Sequence, residues 1–100
     1  MEYAIKIRDT TTPYDLDCMF THAWSYNKPV RFVIDVTECR NISLGRVLSM
    51  KKVLDRHRPN SRKYIDYTTV YVKSWLAKTV LNLGLSIIKT ERPVYISTRS

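Results

Sequence analysis

The side chains of this chain that could do chemistry are mostly cations, and they lie close together in the sequence. Eight lysines and arginines and a single acid, Asp55, fall between positions 40 and 63, so this segment carries +7 of the formal net charge of +8. Such a local excess of charge indicates a surface for an anionic or acidic partner. The cations that could contact phosphates or nucleic acid are Arg40, Arg46, Lys52, Arg56, Arg58, Arg62 and Lys63.

A serine near the start of this basic segment could accept a phosphoryl group. Ser43 lies at the predicted head of a helix, where free backbone N–H groups and the helix dipole favour an anion. The alternative is that Ser43 only caps the helix, because serine is a preferred N-cap residue. The sequence leaves both interpretations open.

Metal binding and catalysis find little support in the residue spacing. Cys18 and His22 share a helix face, and Cys39 with His57 could complete four ligands, but this spacing matches no familiar zinc pattern. The chain has no Gly-rich phosphate loop, no paired-carboxylate motif and no nucleophile elbow. We therefore expect no metal, no cofactor and no enzymatic activity.

Length and composition predict one ordinary globular domain over residues 1–100. The chain is 44% hydrophobic and 26% charged, which is usual for such a domain. No window approaches the roughly 20 apolar residues of a transmembrane helix, and the N-terminus lacks the features of a signal peptide. Two cysteines are too few for a disulfide framework. We expect a cytoplasmic protein without a membrane span.

Apolar periodicity predicts alternating strands and helices. Strands are expected at 3–8, 30–36, 63–67 and 93–97. Thr12 caps a first helix, Asn41 or Ser43 opens a second that ends near His57 before Pro59, and Thr68 or Thr69 opens a third. The order β-α-β-α-β-α-β predicts an α/β domain with about four strands in a mostly parallel or mixed sheet and three helices.

The same periodicity assigns faces to the second and third helices. On the second helix, Val53 is expected to face outward. On the third, Val70 and Leu81 are expected to face outward, and the helix ends near Gly84 or, less favoured, at Ile88. The stripe expected to face the core comprises Val72, Trp75, Leu76, Thr79, Val80 and Leu83.

From Tyr3 to about Ile96, the chain resembles the STAS family, the fold of the bacterial anti-sigma-factor antagonists. Three stretches carry the resemblance. They are Ile5-Lys6-Ile7, the strand at 30–36 with Asn41-Ile42-Ser43-Leu44-Gly45-Arg46-Val47-Leu48 after it, and Val72-Lys73-Ser74-Trp75-Leu76 leading to Leu83-Gly84-Leu85. The resemblance implies a STAS-like fold that docks partners around its second helix and the preceding loop.

The turn before the second helix departs from the family pattern. Asn41 and Ile42 stand where the family typically has an acidic residue and the phosphorylatable serine, and Ser43 falls one position late. The first strand of the family's opening hairpin and a terminal helix are also missing. The resemblance therefore implies that the fold is kept, that the phosphorylation switch is lost, and that recognition depends on charge and shape.

These features together predict a small non-enzymatic STAS-like protein–protein interaction module. It would be a regulator, an adaptor or a structural piece of a larger assembly such as a viral particle, and its partner would present an acidic or mixed surface. The alternative is a nucleic-acid-binding accessory protein that uses the basic segment 40–63. The residues expected to contact a protein partner are Arg40, Asn41, Ile42, Ser43, Arg46, Lys52, Val53 and Arg56.

Overall fold

Four parallel strands form one sheet, in the same order in space as along the chain. They are β1 (Glu2–Lys6), β2 (Val30–Asp35), β3 (Ile65–Val72) and β4 (Val94–Thr98). The structure is a computed structural model that describes residues 1–40 and 42–99. The predicted α/β class and the alternation of strands with helical connections are confirmed.

Helices form all three connections between the strands, and the second connection contains several short helices. Helix α1 (Pro13–Trp24) begins as expected, with Thr12 as its N-cap in a capping box with Asp15. The single second helix is wrong, because two short helices replace it, α2 (Leu44–Ser49) and α3 (Lys51–Arg56). A third, α4 (Arg58–Tyr64), follows, so the predicted strand start at Lys63 is also wrong. Pro59 lies in the first turn of α4, where a proline starts a helix and does not end one.

Strand β3 is longer than predicted, and this moves the start of the last helix. Thr68 and Thr69 continue the strand, because the run from Thr68 to Val72 consists of β-branched and aromatic residues. Helix α5 (Trp75–Ile88) begins after Ser74, whose hydroxyl accepts a hydrogen bond from the Ala77 backbone N–H at 3.2 Å. The prediction that Thr68 or Thr69 opens this helix is therefore wrong.

The face of α5 that packs on the core differs from the predicted face. Ala77 and Leu81 pack against the core cluster that contains Val70 and Val72, so the outward placement of Val70 and Leu81 is wrong. Of the predicted inward stripe, Val72 is buried as expected, but it belongs to β3, whereas Trp75, Leu76 and Leu83 of α5 are exposed. Helix α5 carries two apolar stripes, and the one predicted to face the core is the exposed one.

All the helices pack against one face of the sheet. Consecutive strands are neighbours, and right-handed crossovers between them carry every connection to the same side. Side chains on that side, such as Ile5, Phe32 and Val72, are buried, whereas Lys6, Arg31 and Tyr95 on the other side are exposed. One face of this parallel sheet is therefore open, although parallel sheets are usually covered on both faces.

Gly84 sets the packing of α5 against α2. Helix α5 continues through Gly84 to Ile88, so the favoured ending near Gly84 is wrong and the alternative ending at Ile88 is confirmed. A Cβ atom at Gly84 would lie 2.5 Å from Cγ1 of Val47. The absence of a side chain at Gly84 allows the two helices to approach this closely.

We expect Gly84→Ala to be less stable than Gly45→Ala by roughly 1–3 kcal/mol, because the added methyl group overpacks the contact with Val47. Gly45 is a matched control, since it also lies in a helix and a Cβ atom there would meet nothing within 4 Å. Urea denaturation measures the difference. Equal stabilities of the two variants would contradict the close α2–α5 contact.

Candidate functional site

Acids from other parts of the chain neutralise much of the basic segment. Arg56 pairs with Asp17 at 3.0 Å, and Glu91 is 3.4 Å from Arg58 and 3.2 Å from Arg62. Asp55 pairs with Arg58 at 2.8 Å and with Lys51 at 2.6 Å. Nζ of Lys63 lies 5.0 Å from the centre of the Tyr64 ring. Over the described part of the chain, Arg40 and Lys52 are the segment's cations without an ion pair or a cation–π contact.

Arg46 is half-buried and connects α2 to the loop after β1. Its Nη1 lies 3.3 Å from Oδ1 of Asp9, and its Nη2 donates hydrogen bonds to the backbone carbonyls of Arg8 and Thr11. Arg46 is predicted to contact a partner or a phosphate, but its guanidinium is engaged within the chain. The side chain holds α2 against the loop after β1 at the carboxyl edge of the sheet.

Two further predicted partner-binding residues are less accessible than expected. Val53 is 5% exposed and belongs to the core cluster with Phe20 and Phe32, so its outward placement is wrong. Ile42 is half-buried and packs against the cluster around Val36. Asn41 lies outside the described residues.

Ser43 is exposed and caps α2. Its Oγ accepts a hydrogen bond from the backbone N–H of Arg46 at 3.1 Å, so the capping interpretation is confirmed. Phosphorylation of Ser43 stays a prediction.

A cleft lies at the carboxyl edge of the sheet between the β2–α2 loop and the start of α5. Arg40 and Lys73 contribute positive charge to it, and the capping serines Ser43 and Ser74 lie on its two sides. Glu38 also lines the cleft, but its carboxylate is engaged by Arg8 at 2.9 Å and Lys6 at 3.1 Å. The cleft therefore presents exposed cations beside an acid that is already paired.

The β2–α2 loop is held by Asp35 at the end of β2. The hydroxyl and backbone N–H of Thr37 donate hydrogen bonds to Oδ1 of Asp35 at 2.6 and 2.8 Å. These bonds lower the pKa of Asp35, so the carboxylate form is favoured. The carboxylate at the end of this strand thus orders the loop.

Helix α5 exposes a large apolar face beside this cleft. Trp75 and Leu76 are 73% and 71% exposed, and Leu83 and Ile87 are about half exposed. Leu76, Leu83 and Ile87 share one helix face, and the opposite face packs on the sheet. A helix that is apolar on both faces is typical of a buried position. The apolar periodicity of the sequence predicts this apolar stripe but places it in the core.

The open face of the sheet carries three tyrosines. Tyr67 and Tyr95 are in edge contact with ring centres 5.9 Å apart, and the guanidinium of Arg99 lies 3.9 Å from the centre of the Tyr71 ring. Lys6 and Arg31 add positive charge to the same face. The residue pattern of β3 and β4 alone does not separate these tyrosines from core positions.

The four cysteines and histidines considered as metal ligands have other surroundings in the fold. Trp24 Nε1 donates a hydrogen bond to Nδ1 of buried His57 at 2.9 Å, and Nε2 of His57 lies 2.6 Å from Oδ1 of Asp17. Burial raises the pKa of the Cys39 thiol, which disfavours the thiolate that binds metals. Within residues 1–40 and 42–99, no group of three or more His, Cys, Asp or Glu side chains could hold a metal ion.

No protein-family model matches this chain, and no curated protein or solved structure is significantly similar to it. The resemblance to the STAS family therefore has no support beyond the residues that suggested it, and membership of that family stays a prediction. No helix in the described part of the chain is long and apolar enough to cross a membrane.

We expect the stability of the protein to fall with pH below about 4, and Asp17→Asn to reduce this dependence. The hydrogen bond with His57 lowers the pKa of Asp17, with a further contribution from Arg56. A carboxylate with a lowered folded-state pKa stabilises the fold above its unfolded pKa and loses this effect as the pH falls through the folded value. Urea titrations at pH 3 to 7 measure this, and identical pH profiles would contradict the role of Asp17.

Proposed function

We propose that this protein is a non-enzymatic protein–protein interaction module that docks its partner on the outer face of α5 and the adjoining carboxyl-edge cleft. The observation that carries the proposal is the exposure of Trp75, Leu76, Leu83 and Ile87 on a helix whose other face already packs on the sheet. Contiguous exposed apolar side chains on a soluble domain are typical of interaction sites.

The apolar face and the cleft form one continuous surface. Leu76 belongs to both, since it lies on the outer face of α5 and also lines the cleft beside Ser43 and Lys73. A partner that covers α5 would therefore also reach the β2–α2 loop. The docking region expected from the STAS resemblance is thus retained in part, but its centre moves from the basic second connection to α5.

Charge on the rim of this surface favours an acidic partner. No Asp or Glu occurs between Asp66 and Glu91, whereas Lys73, Lys78 and Lys89 lie on or beside α5. Pairing of two copies through α5 would bring lysines close to lysines, which is unfavourable. We therefore propose a partner that presents an amphipathic helix with an apolar stripe and acidic flanks.

A large share of the binding energy should come from the apolar side chains. Full burial of a leucine or isoleucine contributes about 1.5–3 kcal/mol, and these side chains are at least half exposed. Lys73 and Arg40 on the rim would then contribute mainly to the association rate and to specificity. A cytoplasmic setting, with Cys18 and Cys39 as free thiols, belongs to the same proposal.

We expect Leu83→Glu with Ile87→Glu to abolish capture of the partner, because the two carboxylates would be buried in the interface. Affinity capture from cells that express the chain, followed by quantitative mass spectrometry, compares this variant with the native protein. Circular dichroism checks that the variant is folded, which the exposure of both sites favours.

The matched control is Lys52→Glu with Arg56→Glu on the basic segment. These substitutions also change two side chains, and we expect them to leave capture within about threefold of the native level, because both residues lie on α3 and neither lines the cleft. If the control variant loses the partner and the α5 variant retains it, the docking site lies on the basic segment and not on α5. Failure of the native protein to retain any specific partner would contradict the proposal.

A second candidate function is binding of single-stranded nucleic acid on the open face of the sheet. The specific observation is the group of Tyr67, Tyr71 and Tyr95 beside Arg31 and Arg99, because bases stack on exposed aromatic rings and cations contact phosphates. The basic segment supports this function less, since acids pair with several of its cations.

We expect Tyr67→Ala with Tyr95→Ala to weaken binding of a labelled single-stranded oligonucleotide at least about thirtyfold, because two stacking sites at about 1–3 kcal/mol per base are lost. Tyr14→Ala is the control, since Tyr14 is 74% exposed on α1. Fluorescence anisotropy over a salt series measures binding. No binding near 50 mM salt would exclude this function, and equal losses in both variants would exclude this surface.

A further inference from the structure

A cavity of about 180 Å³ lies between the sheet and the helices of the second and third connections. It separates the two core clusters, because Phe20 and Phe32 of one cluster and Val36 and Val70 of the other all line it. The remaining wall consists largely of half-buried apolar side chains from α2, α3 and α5. They are Val47, Met50, Leu54, Leu81 and Leu85.

The construction of the second connection explains why side chains do not close this space. The connection contains three short helices, and neither α2 nor α4 has a buried residue. The contact between Gly84 and Val47 also limits how far α2 and α5 can move toward each other. Natural cores are close-packed, so a cavity of this size with so uniform a lining has the character of a ligand site.

The cavity reaches the surface at the loop between α5 and β4. Exposed residues Lys89, Thr90 and Arg92 line it there, opposite Arg58 and Ser61 of α4. Arg58 fixes this opening by donating hydrogen bonds to the backbone carbonyls of Ile88 at 2.9 Å and Lys89 at 2.8 Å. Arg58 thus fixes α4 against the end of α5 at the opening, and the interior is apolar.

Positive charge dominates the opening. Arg58, Lys89 and Arg92 lie around it, and Glu91 is the acid among the lining residues there. Arg62 and Arg58 engage the Glu91 carboxylate at 3.2 and 3.4 Å, so its charge is already compensated. Arg92 donates one hydrogen bond from its Nη2 to the backbone carbonyl of Arg62 at 2.8 Å, which leaves its charge uncompensated. Lys89 and Arg92 are therefore the cations at the mouth, among the described residues, that carry no ion pair and can attract an anionic group.

We propose that this cavity binds a small aliphatic carboxylate, with the hydrocarbon chain among the apolar side chains and the carboxylate between Lys89 and Arg92. A cavity of about 150 Å³ holds one benzene molecule, so this one accommodates a chain of roughly six to eight carbons. The site is separate from the outer face of α5, and it does not depend on the proposed docking function.

A chain-length series tests the apolar part of the site. We expect the affinity of the intact protein for butyrate, hexanoate and octanoate, measured by calorimetry, to rise about fourfold with each added methylene group. The gain ends once the chain fills the cavity, so decanoate and dodecanoate should bind no more tightly than octanoate. A gain that continues through dodecanoate indicates detergent-like adsorption and would overturn the proposal, as would no binding of octanoate.

A filled cavity provides a second test. Val70→Phe places a larger side chain into the space from β3, and we expect it to reduce octanoate affinity at least tenfold while the outer surface stays unchanged. A folded Val70→Phe protein that binds octanoate as tightly as the native protein would refute the assignment of the site. If this variant does not fold, the head-group variants described below test the site in a protein whose core is unchanged.

Octanol provides the matched ligand for the carboxylate, because it has the same chain without the charge. We expect Lys89→Glu with Arg92→Glu to lower the ratio of octanoate to octanol affinity at least tenfold. Arg40→Glu with Lys73→Glu, at the other end of the sheet, should leave this ratio unchanged. An unchanged ratio in the first variant, or a fall only in the second, would overturn the placement of the head group.

Discussion

The one-sided packing of the sheet is the constraint on which the other features of this structure depend. Four parallel strands in sequential order, joined by right-handed crossovers, place every helix on the same face. Only the strand side chains on that face, about half of them, can join the core. The helices must therefore supply the other apolar side chains of the core. Helix α5 connects the last two strands of this row, and its outer face is exposed.

Long-range ion pairs determine how the charge of the chain is presented. The basic segment carries most of the net charge in the sequence, yet Asp9, Asp17 and Glu91 approach it from three other parts of the chain. Its cations therefore connect helices and loops as much as they face solvent. This arrangement favours recognition through an apolar helix face with a rim of lysines. It favours recognition through a broad basic surface less.

Much of the fold could be predicted from local signals, whereas the candidate site could not. Thr12, Pro13 and Asp15 marked the start of α1, and the apolar run at 30–36 marked β2, because capping and burial leave short-range patterns. The start of α5 was misplaced by about six residues, since Thr68 and Thr69 resemble caps but belong to a strand. Helix α5 also carries two apolar stripes, and periodicity alone does not show which of them faces the core, so its exposed face was missed. The partners of Arg46 and Arg56 depend on the tertiary fold, which residue spacing does not encode.

The orientation of α5 is the central claim, and collisional quenching of tryptophan fluorescence tests it most directly. Trp75 is 73% exposed, whereas Trp24 stacks on Phe20 and Tyr64 and donates a hydrogen bond to His57. We predict that acrylamide and iodide quench a large part of the native emission and that Trp75→Phe removes this part. Weak quenching that Trp75→Phe leaves unchanged would place Trp75 in the core and contradict this account.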